Sequence, residues 1–167
     1  MNTYTALWQK ELAQAFTHPP ALLDYLNLSP QLASSLATKN FAMRVPLAYA
    51  ECMEKGNIND PLLQQVLPLN KELIEEQGYL NDPVGDLDCL INDCLIHKYH
   101  GRVLFITTGG CAVNCRFCFR RNFPYAEVQL TKEKELHAVQ YLQKNTDIHE
   151  VIFSGGDPLW LCNRLIQ

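Results

Sequence analysis

The sequence predicts an α/β fold: a helical N-terminal region over residues 1–95, then the start of a parallel sheet over 96–167. Three observations carry this. Apolar residues recur at helical spacing through the first half. Two short apolar runs rich in β-branched residues, VLFITT at 103–108 and VIF at 151–153, each lead into a pair of glycines. An amphipathic stretch, KEKELHAVQYLQKN, lies between those runs. Strand, loop, helix and strand make one βαβ unit, whose strands are expected parallel and whose crossover is expected right-handed.

Leu7, Trp8, Leu12, Ala15 and Phe16 mark the first helix, which Pro19 and Pro20 break. ALLDYLNLSPQLASSLA resumes helix in shorter pieces. Pro46 opens another through AYAECMEK, with Gly56 as its stop. From GNINDP at 56–61 to NDPVGD at 81–86, turn residues bracket short apolar segments such as LLQQVLPL, an irregular wrap of chain. No internal repeat or low-complexity tract is present. VLFITT reads as a strand buried on both faces, and VIF as a second buried strand. The intervening helix is expected to carry Leu136, Val139 and Leu142 on one face and charges on the other. The segments GGCAVNCRFCFRR (109–121) and SGGDP (154–158) then begin at the C-terminal ends of the two strands. That edge is where α/β sheets bind ligands.

Composition narrows the function classes. Of 167 residues, 47% are hydrophobic and 19% charged, ordinary for a globular protein, and the formal charge is −4. Lys and Arg are not in surplus, which argues against a nucleic-acid partner. The one basic knot, Arg116, Arg120 and Arg121, is interleaved with cysteines. Lys10 and Glu11 interrupt the stretch where a signal peptide needs an apolar run, and no run has the length of a membrane span. A cytoplasmic protein with no membrane partner is expected. Seven cysteines in a reducing compartment make a disulfide framework an unsuitable reading. Asn27-Leu28-Ser29 fits a glycosylation pattern that has no route to use in that compartment.

Cys111, Cys115 and Cys118 are the focus. Cysteine as a small core hydrophobe suits Cys52, Cys89, Cys94 and Cys162, each alone in its context. It suits the triplet badly, after a double glycine and among arginines. A zinc site prefers four closed ligands, which Cys115 and Cys118 could reach with Cys111 and either His97 or His100. A redox pair does not carry a companion cysteine four residues upstream. The remaining reading is an iron–sulfur cluster: a 4Fe–4S cube takes four thiolates, so three leave one iron open to a small chelating molecule.

With Phe117 before the last cysteine, this Cx3CxΦC pattern resembles the radical S-adenosylmethionine (SAM) superfamily. The resemblance implies that Cys111, Cys115 and Cys118 hold a 4Fe–4S cluster whose open iron takes the methionine end of SAM. Reduction by an electron donor then yields an adenosyl radical. Ser154, Gly155, Gly156 and Asp157 look like the family's glycine-pair-and-acid motif, which contacts the cofactor's amine. Read alone, Asp157 is equally a helix cap after a strand-ending turn.

LIHKYHGRVLFITTGGCAVNCRFCFRRNFPYAE resembles the lysine 2,3-aminomutase family more narrowly. NFAMRVP (40–46) and GNINDPLLQQVLP (56–68) look like its branch that makes (R)-β-lysine for modification of elongation factor P. Carried over by position, the resemblance sets Phe117 beside the adenosyl group and Arg120 on the lysine carboxylate. Tyr99 falls near the ring of pyridoxal 5′-phosphate (PLP), with Lys98 and Arg102 near its phosphate. Lys98 replaces a fork by a point charge where some relatives have arginine. Read without the resemblance, Phe117 is a packed loop aromatic, Arg120 a surface arginine, and Tyr99 and Arg102 strand-entry residues.

The implied reaction is a 1,2-amino shift on free L-lysine, with elongation factor P a partner only indirectly. Family members continue for a further length comparable to this chain. The resemblance assigns to that part the remaining strands of a (β/α) barrel, the Schiff-base lysine and the acids for the distal ammonium. WLCNRLIQ at 160–167 resembles the family little. The expectation is a truncated radical SAM barrel, inactive alone; the alternative is a non-catalytic zinc-binding module or a pseudogene fragment.

Overall fold

A computed structural model describes residues 5–92, 94–125 and 130–160. The chain divides into two compact units. One holds the chain up to Tyr79 together with Ala112–Cys118; the other holds Leu80–Cys111 and the chain from Phe119. The stretch from 80 to 95 therefore belongs with the sheet, and the cysteine loop is divided.

The first unit is built from short helices. Helix α1 spans Thr5–Ala13, so Ala15 and Phe16 lie beyond it. Phe16 instead exchanges backbone hydrogen bonds with Val45, at 2.8 and 3.0 Å. Helix α2, Pro19–Tyr25, has Pro19 as its first residue, where a missing N–H costs nothing. It buries Leu22 and Leu23, and Leu26 follows at its C-terminal end. Helix α3, Ser35–Asn40, starts on Ser34, whose hydroxyl accepts from Ala37 N at 3.2 Å. Helix α4 is a single turn, Leu47–Ala50, shorter than the sequence suggests, and Gly56 at φ +77° lies well past it. Helix α5, Pro61–Val66, is capped by Asp60, which accepts from Leu62 N and Leu63 N at 2.9 Å. Leu22, Leu23, Leu26, Met43, Val45, Leu63 and Val66 form one core, with Phe16 and Tyr25 packed on it. Cys52 is exposed rather than in that core, on the turn after α4.

The second unit carries a four-stranded sheet in the order β1 (Leu90–Asn92), β2 (Leu95–Tyr99), β3 (Arg102–Thr108) and β4 (Glu150–Gly155). The expected parallel pair is β3 with β4, in register from Arg102↔Glu150 to Thr108↔Gly155. Two antiparallel strands, absent from the sequence reading, extend it: β2 returns beside β3 through a turn with Gly101 at φ +72°, and β1 pairs with β2. LIHKY runs from two apolar residues into His97 and Lys98 without alternation, which hid a strand of which Leu95 and Ile96 are buried. The inner edge of β3 is thus covered. Strand β4 lies at the sheet's edge among the described residues, and Ile152 and Phe153 are 37% and 58% exposed, not buried as expected.

Helix α6, Lys132–Lys144, is capped by Thr131 and joins β3 to β4. Its buried residue is Ala138, with Tyr141 and Leu142 partly covered, whereas Leu136 and Val139 are exposed. Ala138 packs among Cys94, Ile96 and Ile106, on the other side of the helix from the exposed apolar pair. Tyr141 Oη meets His97 Nδ1 of β2 at 2.8 Å. Among the described residues no helix is long and apolar enough to cross a membrane. Cys162 and most of WLCNRLIQ lie outside the described residues.

Candidate cofactor-binding site

Two glycine turns sit back to back at the C-terminal ends of β3 and β4. Gly156 N donates to Thr108 O at 2.6 Å and Asp157 N to Gly110 O at 2.9 Å. Gly110 N donates to Thr108 Oγ1, and Thr107 Oγ1 to Ser154 O. A Cβ on Gly156 would overlap Gly110 O, and one on Gly155 would overlap Thr108 O. Gly155 also has φ +115°, open to glycine alone at little cost. The sequence pair is therefore required sterically. Asp157 accepts from Leu159 N at 3.0 Å, capping the 3₁₀ turn Pro158–Trp160, as its plainer reading anticipated.

Cys111, Cys115 and Cys118 are all free thiols of intermediate burial. Cys111 falls within the sheet unit and the other two within the helical unit. Cys115 and Cys118 are neighbours, linked by the backbone bond Cys118 N to Cys115 O at 3.2 Å. Burial lifts the Cys115 thiol above its ordinary value of 9.0, and the adjacent Cys118 thiolate adds to this. Burial also raises the Tyr49 phenol, with the Asp60 carboxylate and the Cys115 thiolate contributing. Among the described residues no three His, Cys, Asp or Glu side chains stand grouped as a ready-made cation site. The donor chemistry still fits an iron–sulfur cluster: three soft thiols unused by disulfides, the kind of ligand such a cluster takes. His97 bonds Tyr141 and His100 faces Asp147 at 3.7 Å, so both candidate zinc histidines have other partners.

The helical unit grips its part of the cysteine loop. Asn114 N donates to Arg44 O, Asn114 Nδ2 to Ala42 O, and Arg116 N to Gln65 O. The Arg116 guanidinium is buried. It donates to both Glu72 carboxylate oxygens at 2.7–3.1 Å, to Phe41 O at 2.6 Å and to Ala37 O at 3.0 Å. Arg116 is structural, a role no local motif disclosed because Glu72 and Ala37 are far away in sequence. Phe117 beside it is 69% exposed, which removes the reading of a packed loop aromatic.

A cavity of about 240 Å³ in the sheet unit is lined by Lys98, Tyr99, Arg102 and Arg120, together with Asp86 and Ile152. Four residues singled out from sequence thus converge on one concave surface. Strand pairing sets Ile96 across from Leu104 and Leu104 across from Ile152, giving an apolar floor. Arg120 Nε donates to Asp86 Oδ2 at 2.9 Å, Nη1 to Ser154 Oγ at 3.2 Å, and its guanidinium stacks on Phe119. Arg120 and Asp86 are both nearly buried, so Arg120 is no loose surface arginine. Arg102 pairs with Glu150, Lys98 Nζ donates to Val84 O, and Tyr99 is 62% exposed. Asp86 and Glu150 were missed, since pairing across 34 and 48 residues leaves no local pattern.

Residues 105–161 match the Radical SAM superfamily. The chain is 46% identical over 155 residues to L-lysine 2,3-aminomutase of Escherichia coli (strain K12), covering 91% of this chain and 45% of that protein. It is 41% identical over 163 residues to L-lysine 2,3-aminomutase of Buchnera aphidicola subsp. Baizongia pistaciae, covering 96% and 48%. To the protein of that name in Haemophilus influenzae it is 42% identical over 154 residues, covering 91% and 46%. The chain spans about half the length of these curated relatives.

Proposed function

Because this chain belongs to the lysine 2,3-aminomutase family of radical SAM proteins, we propose that it carries part of an isomerase that moves the α-amine of L-lysine to the neighbouring carbon. The product is (R)-β-lysine, destined for modification of elongation factor P by a separate enzyme. Cys111, Cys115 and Cys118 hold the cluster, and the turn Ser154-Gly155-Gly156-Asp157 receives the amine of SAM. When bound, the cluster and SAM supply a hydrogen-abstracting radical, and PLP supplies a π-system on which the amine migrates.

The chain's own residues bind and orient. Lys98 and Arg102, which line the cavity, would offer two cations to a phosphate. Tyr99, on the same cavity, would lie near the ring of PLP. Arg120 is held by Asp86 and Ser154 in one orientation, which suits the fork of a guanidinium to a carboxylate. Leu104 and Ile152 give the cavity an apolar floor beneath these polar groups. Convergence of Lys98, Tyr99, Arg102 and Arg120 on one cavity is the single observation that carries the proposal. The Schiff-base lysine and the acids for the distal ammonium are assigned to the part of the relatives that this chain does not span. An electron donor for the cluster and the cytoplasm as its setting complete the proposal.

Oxygen-free reconstitution with iron and sulfide tests this. About four irons per chain, a cluster spectrum that changes on adding SAM, and loss of both on replacing any of the three cysteines with alanine are expected. One equivalent of zinc with no iron would instead identify a zinc module and reject the radical chemistry.

A further inference from the structure

Tyr125 lies within the family-like stretch 95–127 but carries no role above, yet its side chain closes the stack of glycine turns. Its hydroxyl donates to Gly155 O at 2.7 Å, across 30 residues. Its ring lies against Gly109, where an added Cβ would sit 2.6 Å from Tyr125 Cβ. Phe123 braces it, with ring centroids 4.9 Å apart and Tyr125 N donating to Phe123 O at 2.8 Å. The turn needs such bracing. Glycine has more backbone freedom than any other residue, so two in succession hold one shape only if anchored from outside. The backbone of β3 and its turn anchors Gly156 and Asp157 through their N–H groups. The Gly155 carbonyl points elsewhere, and Tyr125 supplies its donor.

We infer that Tyr125 is a positioning residue that locks the Gly155 peptide, and with it the turn that receives the cofactor amine. This rests on the SAM assignment proposed above. The Gly155 carbonyl shares its peptide plane with the Gly156 N–H, which donates to Thr108 O, so Tyr125 holds the same plane from its other side. Removal of the hydroxyl lets the two glycines sample other conformations, which lowers affinity without dismantling the cysteine loop.

The test uses the full chain with Tyr125→Phe, which keeps the ring on Gly109 and Phe123. Gly109→Ala approaches the same contact from the other side by displacing the ring. Hydrogen exchange at the Gly156 and Asp157 amides is expected to quicken about fivefold in both variants, the scale of one net hydrogen bond. In cluster-loaded Tyr125→Phe the SAM dissociation constant, measured by equilibrium dialysis, is expected to rise by about the same factor, with iron content unchanged. Unchanged exchange at these two amides overturns the inference whatever the affinity. Faster exchange with an unchanged dissociation constant overturns it equally, leaving Tyr125 a packing role. Should the unaltered loaded chain bind no SAM, the cofactor assignment fails by itself. The exchange arm then still decides whether Tyr125 holds the turn.

Discussion

Replacing Arg116 with methionine removes a guanidinium whose side chain is 6% exposed, opposite a Glu72 side chain that is 12% exposed. Were this an open surface pair, the cost would be about 0–1 kcal/mol. Burial decides otherwise. Methionine fills the space but leaves the Glu72 carboxylate without its partner, a loss on the order of 3–5 kcal/mol for a buried pair. Glu72 also accepts from Leu69 N at 2.9 Å and can admit some water, which favours the lower end, about 3 kcal/mol. That is roughly a hundredfold in the unfolding equilibrium. The double variant Arg116→Met/Glu72→Leu removes the stranded charge. It still leaves the Phe41 and Ala37 carbonyls and the Leu69 N–H without these partners, at about 1 kcal/mol each. It should therefore fall between the wild type and the single variant, or close to the single if all three groups stay dry. Urea unfolding followed by circular dichroism reads these differences, and thiol labelling at Cys115 and Cys118 should quicken in parallel. A loss below about 1 kcal/mol for Arg116→Met would refute the claim that the clamp holds the loop.

Other outcomes follow from individual contacts. Asp60 keeps a carboxyl pKa below its ordinary 3.8: burial pushes it up, but N–H donors from Glu54, Leu63 and Leu62 outweigh that. Its stabilisation is complete above pH 3.8 and lost as pH falls through the depressed value, so Asp60→Asn should flatten acid unfolding in that window. At neutral pH Asp60→Ala should cost about 1–2 kcal/mol as a lost cap, read by thermal melting. Gly156→Ala, which forces a Cβ onto Gly110 O, should abolish SAM binding in dialysis while iron loading persists. Lys98→Ala and Arg102→Ala should each weaken PLP binding about tenfold and lessen its salt dependence, measured by absorbance titration. Equal affinity at low and high salt would remove both from the phosphate.

The strands at 103–108 and 151–153 and the helix between them were legible because each is a local matter of periodicity and punctuation. So was the double-glycine motif, since the turn that ends each strand is encoded beside it. The triplet Cys111, Cys115 and Cys118 stood out through donor type and spacing, while its cofactor was read from the family resemblance. The hairpin strands β1 and β2 were not legible, because their mixed residues make sense only against β3, which a linear pattern does not contain. The outward turn of Leu136 and Val139 was hidden for a similar reason: which stripe of an ambiguous helix is buried depends on the surface it meets.

What the sequence by itself determined is the chemical vocabulary: which thiols, cations and glycines are present and at which strand ends they stand. What only the tertiary structure decided is their partners. Arg116 and Arg120 lie four residues apart with nothing local to distinguish them. One is buried on Glu72 within the helical unit, the other is braced by Asp86 and Ser154 on the cavity within the sheet unit. Charge pairing acts through space over a few ångströms, and only folding sets which distant carboxylate comes within that reach.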